Sequence, residues 1–175
     1  MHVLEKLDLS RSWYWETYVM QRAHPWELVQ YVSLTLLLQC VDGLPESVTR
    51  PELDVASLWL AAEIQSLNDA EHGESKDRAW AYGNLAELYL IAQLIKGEPY
   101  SRINTGTSEK AVDVVRKIVA LAGPSSFHVF STRRQILRYL EWFTKMVGNE
   151  LDGVCELSKV MLKELPVCEE PERDY

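Results

Sequence analysis

Cysteine is scarce. Cys40, Cys155 and Cys168 are the only three in 175 residues, widely spaced and without a C-x-x-C pair. An odd, dispersed set of this kind excludes a disulfide framework or a cysteine-based zinc site and predicts reduced thiols in a cytoplasmic protein. The four histidines (His2, His24, His72, His128) show neither H-x-x-x-H nor H-E-x-x-H spacing, so no metal site is expected. Long apolar runs are also missing. The longest, over 34–41, is interrupted by Thr35, Gln39 and Cys40 and falls far short of the roughly 20 residues that cross a bilayer, so no membrane span is expected. The first residues, Met-His-Val-Leu-Glu-Lys, lack the basic-then-apolar pattern of a secretory signal. There is no G-x-S-x-G elbow and no glycine cluster to cradle phosphate, so neither a catalytic centre nor a cofactor is expected.

What is present is helical periodicity. A hydrophobic content of 47% with 25% charged residues is that of a folded globular chain. Helix-start signals open the apolar segments, and glycine or proline closes most of them. Thr132-Arg133-Arg134-Gln135 reads as a capping box opening the sixth helix, and Thr49-Arg50-Pro51-Glu52 as another opening the third. Gly43, Gly73, Gly97, Gly123 and Gly148 follow five apolar runs, where a left-handed residue ends a helix at little cost. The first helix is expected from Ser12, and the second from Pro25 with a stripe of Leu28, Val29, Val32, Leu36 and Cys40. Leu53, Ala56, Leu60, Ile64 and Leu67 mark the buried face expected of the third. The fourth, about 76–96, is apolar over so wide an arc that burial on two sides is expected. The fifth carries Ala111, Val114, Val115, Ile118 and Ala122, the sixth Ile136, Leu140, Phe143 and Val147, and the seventh Leu151, Val154, Met161, Leu162 and Leu165. Period-two alternation is absent, so the expected fold is all-α, about seven helices in antiparallel pairs. They form one domain over 1–166, followed by an acidic tail over 167–175.

Charge is segregated along the chain. The net of −8 comes from residues 1–100 at −8, 101–149 at +5 and 150–175 at −5. Opposed segments can attract one another across the fold or steer a charged partner. The overall acidity disfavours nucleic acid.

Residues 79–124 resemble one unit of a tetratricopeptide-type helical repeat. Leu85, Ala86 and Tyr89 sit at the spacing of the motif's first helix, with Tyr82 in its tryptophan-like place. Ala111, Val115 and Ile118 match the second helix, which Pro124 closes. The connection over 97–107 replaces the family's tight turn with about ten extra residues, and other segments recur at about 50 residues where the family repeats at 34. The resemblance implies stacked helix pairs with a concave surface that holds a protein or peptide partner.

Two candidate partner surfaces follow. At the head of the sixth helix, Arg133 and Arg134, with Arg138 one turn on, join Ser131, Thr132 and first-turn N–H groups in an expected anion site. The alternative is ordinary capping with intrahelical pairs to Glu141. The second surface is the N-terminal aromatic group of Trp13, Tyr14, Trp15, Tyr18, Trp26 and Tyr31, of residue types that dominate interface hot spots. Its alternative is a core joining the first two helices. Glu16, Glu63 and Glu87 lie beside apolar faces and are read as solvated surface. The function expected is a non-catalytic interaction module. The competing readings are a closed bundle with a small-ligand or enzymatic pocket between helices two, four and six, and an acidic inhibitor covering a basic partner.

Overall fold

The computed structural model describes residues 3–21, 24–48, 54–95, 106–147 and 151–169, and among them every regular element is helical. The helices are α1 (Val3–Gln21), α2 (Pro25–Gln39), α3 (Val55–His72), α4 (Ser75–Ile91, extended by a 3-10 turn Ala92–Leu94), α5 (Thr107–Ala122) and α6 (Phe127–Arg138). A π-helical segment, Tyr139–Phe143, links α6 to the short α7 (Thr144–Val147), and α8 (Asp152–Glu164) follows. The expected capping box at 49–52, Gly97 and Gly148 lie outside the described residues, as do 170–175 of the acidic tail.

Successive helices run antiparallel. Ser47 Oγ, just beyond α2, donates to Glu5 near the start of α1 at 2.9 Å, and Trp15 packs on Tyr31 at 5.0 Å between ring centres. In the next pair the Trp59 indole N–H donates to the Leu88 carbonyl (2.8 Å) and Arg78 Nε to the Ala70 carbonyl (3.0 Å). Between α4 and α5, Lys110 lies over the Tyr89 ring and Lys117 over Tyr82. Alternation of direction makes α2, α4 and α6 parallel to one another. Of these α4 is central, touching α2, α3, α5 and α6. Every residue from 84 to 91 is buried, as its wide apolar arc predicts. Leu85, Leu88 and Ile91 are fully enclosed, each burial worth about 1.5–3 kcal/mol.

Four sequence expectations need correction. First, α1 begins at Val3, not Ser12: Ser12 Oγ turns back to the Asp8 carbonyl (3.1 Å) instead of capping, and the buried Asp8 and Arg11 pair with each other. Second, α3 buries Ala56, Trp59, Ala62, Ser66 and Ala70, whereas Leu60, Ile64 and Leu67 are exposed, Ile64 by 66%. The small side chains let α3 approach its neighbours closely enough for Trp59 to reach Leu88, which turns the larger aliphatics outward. Third, α6 begins five residues before the Thr132 capping box. Ser126 Oγ accepts from the Val129 N–H (3.3 Å), and Phe127 packs on Trp80 (5.8 Å), so a cap plus an aromatic contact starts the helix at Phe127. Thr132 is therefore buried in mid-helix. Fourth, Gly73 ends α3 with φ −70°, an ordinary extended conformation, so that helix closes without a left-handed residue.

Gly43 and Gly123 do carry positive φ (66° and 87°). With ψ at 154°, Gly123 occupies a region essentially closed to L side chains, and a Cβ there would meet nothing within 4 Å. Gly123→Ala therefore isolates backbone strain from steric clash. It is expected to lower stability by about 1–3 kcal/mol, read as the shift in a urea unfolding curve with an unchanged slope.

Candidate functional site

The parallel helices α2, α4 and α6 meet at one buried carboxylate. Glu87 accepts hydrogen bonds from Gln30 Nε2 (2.8 Å), Ser33 Oγ (2.9 Å) and the Tyr139 hydroxyl (2.7 Å). Arg138 completes the group: its Nη2 donates to Gln30 Oε1 (2.9 Å) and lies 3.7 Å from Glu87 Oε1. Ser33 has one hydroxyl proton, placed within reach of both Glu87 and the Val29 carbonyl (2.8 Å). Burial, and then the Glu87 charge, push the Tyr139 phenol well above its usual range, so it stays a donor. A carboxylate held by three donors and a guanidinium ties three helices to one another. The expectation of a solvated Glu87 is thereby corrected: Gln30 and Ser33 on α2 supply the hydrogen bonds that make its burial tolerable.

Above this network a cleft of about 810 Å³ opens between the same helices. Two facing helix stripes form its main walls. One is Asp77, Trp80, Ala81 and Asn84 on α4; the other is Ser131, Arg134, Gln135 and Arg138 on α6. Both have the i, i+3, i+4, i+7 spacing that puts four side chains on one helix face. The N-terminal end of α2 supplies a third wall with His24, Pro25, Trp26 and Glu27. There Tyr14 of α1 meets Trp26 edge-to-face at 5.4 Å. Asp69 and Gly73, at the end of α3, close one end. Trp26, Asp77 and Arg134 are exposed on the rim, so the cleft is open. On its floor Asn84 is only 6% exposed, yet its carboxamide finds no hydrogen-bond partner among the described residues. Burial, and then the positive charge of Lys76, hold the His128 imidazole below its usual value; its ring packs on Trp80 at 4.8 Å.

The residues singled out in the sequence part company here. Arg133 does not face the cleft; its Nη1 donates to the Leu162 (3.0 Å) and Leu165 (2.7 Å) carbonyls at the end of α8. The expected anion site at the head of the sixth helix is corrected accordingly, because Ser131 to Arg134 lie in mid-helix, where backbone N–H groups are already bonded. Arg134 and Arg138 do reach the cleft, with Arg138 paired to Gln30 and Glu87 and not to Glu141. The aromatic group divides. Tyr14 and Trp26 line the cleft, whereas Trp15 packs between Tyr18 and Tyr31, and the Tyr18 hydroxyl accepts from Gln65 (3.2 Å). Trp13 stands in solvent away from the cleft, 62% exposed. Sequence reading missed Trp80, Asn84 and Gln135. The signal that would have found them is the matched four-residue spacing on helices four and six.

Among the described residues no cluster of histidine, cysteine, aspartate and glutamate could hold a metal, and no helix is long and apolar enough to cross a membrane. A scan against models of protein families, and searches of curated proteins and of solved structures, return no match to this chain.

Two outcomes follow from this geometry. Glu87→Ala removes the acceptor of Gln30 Nε2 and of the Tyr139 hydroxyl and the counter-charge of Arg138, while Ser33 keeps the Val29 carbonyl; it is expected to cost about 3–5 kcal/mol, against about 1–3 kcal/mol for Tyr139→Phe, both measured by urea unfolding. For His128 the unfolded chain takes up its proton near pH 6.5 and the folded chain only at lower pH, so stability falls as pH drops below about 6.5. His128→Phe should make that fall shallower in thermal melts between about pH 7.5 and 5.

Proposed function

We propose that the chain is a non-catalytic interaction module that holds a segment of a partner protein in the cleft between α2, α4 and α6. The observation that carries this reading is the open, aromatic-walled cleft with an unpaired carboxamide on its floor. An amide side chain offers two donors and an acceptor, the complement of a peptide group. Trp26 and Trp80 supply the large, rigid contact area on which recognition of segments commonly rests. The helices beneath are fixed by the Glu87 network, so little ordering is required when a segment enters. The antiparallel pairing of helices is in keeping with a tetratricopeptide-like scaffold, which this reading adopts as its architecture. The three free cysteines suit a protein working in the reducing cytoplasm.

A second reading, a small-ligand site, draws support from the volume alone, since 810 Å³ falls within the roughly 300–1,000 Å³ of small-molecule pockets. Selection of phage-displayed random dodecapeptides on the immobilised protein separates the two. Enriched sequences should bind Trp80→Ala at least tenfold more weakly and Trp13→Ala, altered outside the cleft, as well as the unaltered protein. Selection that enriches nothing, or sequences indifferent to Trp80→Ala, would remove the peptide reading and leave the small-ligand one.

A further inference from the structure

The charges that line the cleft are not all free to meet a ligand. Arg138 is committed to Gln30 and Glu87, and its charge is balanced by that carboxylate. What remains is Glu27, Asp69 and Asp77 against Arg134, an excess of negative charge, and none of the four has a side-chain hydrogen bond or ion pair among the described residues. Asp69 and Asp77 lie together, on the last turn of α3 and the first turn of α4. Gly73 between them has no side chain: a Cβ there would sit 3.2 Å from the Asp77 Cβ and 2.5 Å from the Asp69 carbonyl oxygen. The acidic end is thus left uncovered by its own turn. One turn along α4 from Asp77 stands Trp80, and Trp26 and Tyr14 line the same cleft farther in; aromatic faces attract a guanidinium or ammonium and also pack against its methylene stem. Apart from these charges, Asn84 is more than nine-tenths buried, unpartnered and on the floor.

We infer that the segment held in this cleft carries a lysine or arginine, its charged head at Asp69 and Asp77, its stem along Trp80, and its main chain on the Asn84 carboxamide. This rests on the peptide reading above. Asn84 lies seven residues beyond Asp77 on α4, about 10 Å along the helix axis, and Gln135 and Arg134 flank the same end on α6. An extended chain covers that distance in roughly three residues.

The test uses four pools of blocked nonapeptides, random except for a central Lys, Arg, Leu or Glu, arrayed and probed with labelled protein at physiological salt. The Lys and Arg pools should bind at least fivefold more strongly than the Leu and Glu pools. Asp69→Asn with Asp77→Asn should abolish that preference, whereas Asn84→Ala should weaken all four pools in proportion. Asp113→Asn with Glu156→Gln, which removes as much negative charge from α5 and α8, should change nothing. Preference for the Leu or Glu pool, or a Lys/Arg preference that survives the Asp69/Asp77 change, overturns the basic-residue assignment while the peptide reading stands. Binding of no pool, or binding that Trp80→Ala does not reduce, overturns the peptide reading and the assignment with it.

Discussion

A carboxylate removed from water must be met by donors or be lost as a charge, and Glu87 meets that constraint by drawing on three helices at once. Gln30 and Ser33 come from α2, Arg138 from the end of α6 and Tyr139 from the π-helical turn after it. None of the elements can shift along another without breaking hydrogen bonds in a low-dielectric interior, where they are costly to lose. Apolar contacts alone tolerate sliding and rotation; a buried polar group with directional partners does not. The parallel arrangement of α2, α4 and α6 thus has a specific chemical anchor, and the cleft above inherits its shape from it.

The legible part of the fold was its helices, because 3.6-residue periodicity is a local property. Segments α2, α4, α5 and α8 are where their apolar spacing places them, and the breadth of the apolar arc on α4 marks it as the central element. Illegible were the features decided between helices. On α3 the aliphatic stripe of Leu60, Ile64 and Leu67 has the right period but the wrong face, since close packing through alanine and serine brings Trp59 to the core instead. At α6 two start signals compete, and Phe127 settled the choice by finding Trp80, a contact across 47 positions in sequence.

The candidate site was half readable for the same reason. Residue type points to Arg134, Arg138 and Trp26, and they line the cleft; it points equally to Arg133, which caps α8. One position around a helix is a rotation of about 100°, enough to send neighbouring arginines to opposite duties. Glu87 looked like surface because nothing in its own helix pairs with it, and its partners lie more than 50 positions away in either direction.

The five-residue π segment has a geometrical consequence of its own. A wider turn holds one residue more than a regular coil would, so the helical phase after it is offset from the phase before. Upstream, the Ser131, Arg134, Gln135 and Arg138 stripe looks into the cleft; within the wider turn, Tyr139 and Phe143 meet edge to face (5.1 Å between ring centres) and are buried, and Leu140 slips out of the stripe its spacing would give it. One uninterrupted rod thereby serves two surfaces in succession, a wall of the open cleft and a wedge in the interior, with the handover made by a single surplus residue instead of a loop.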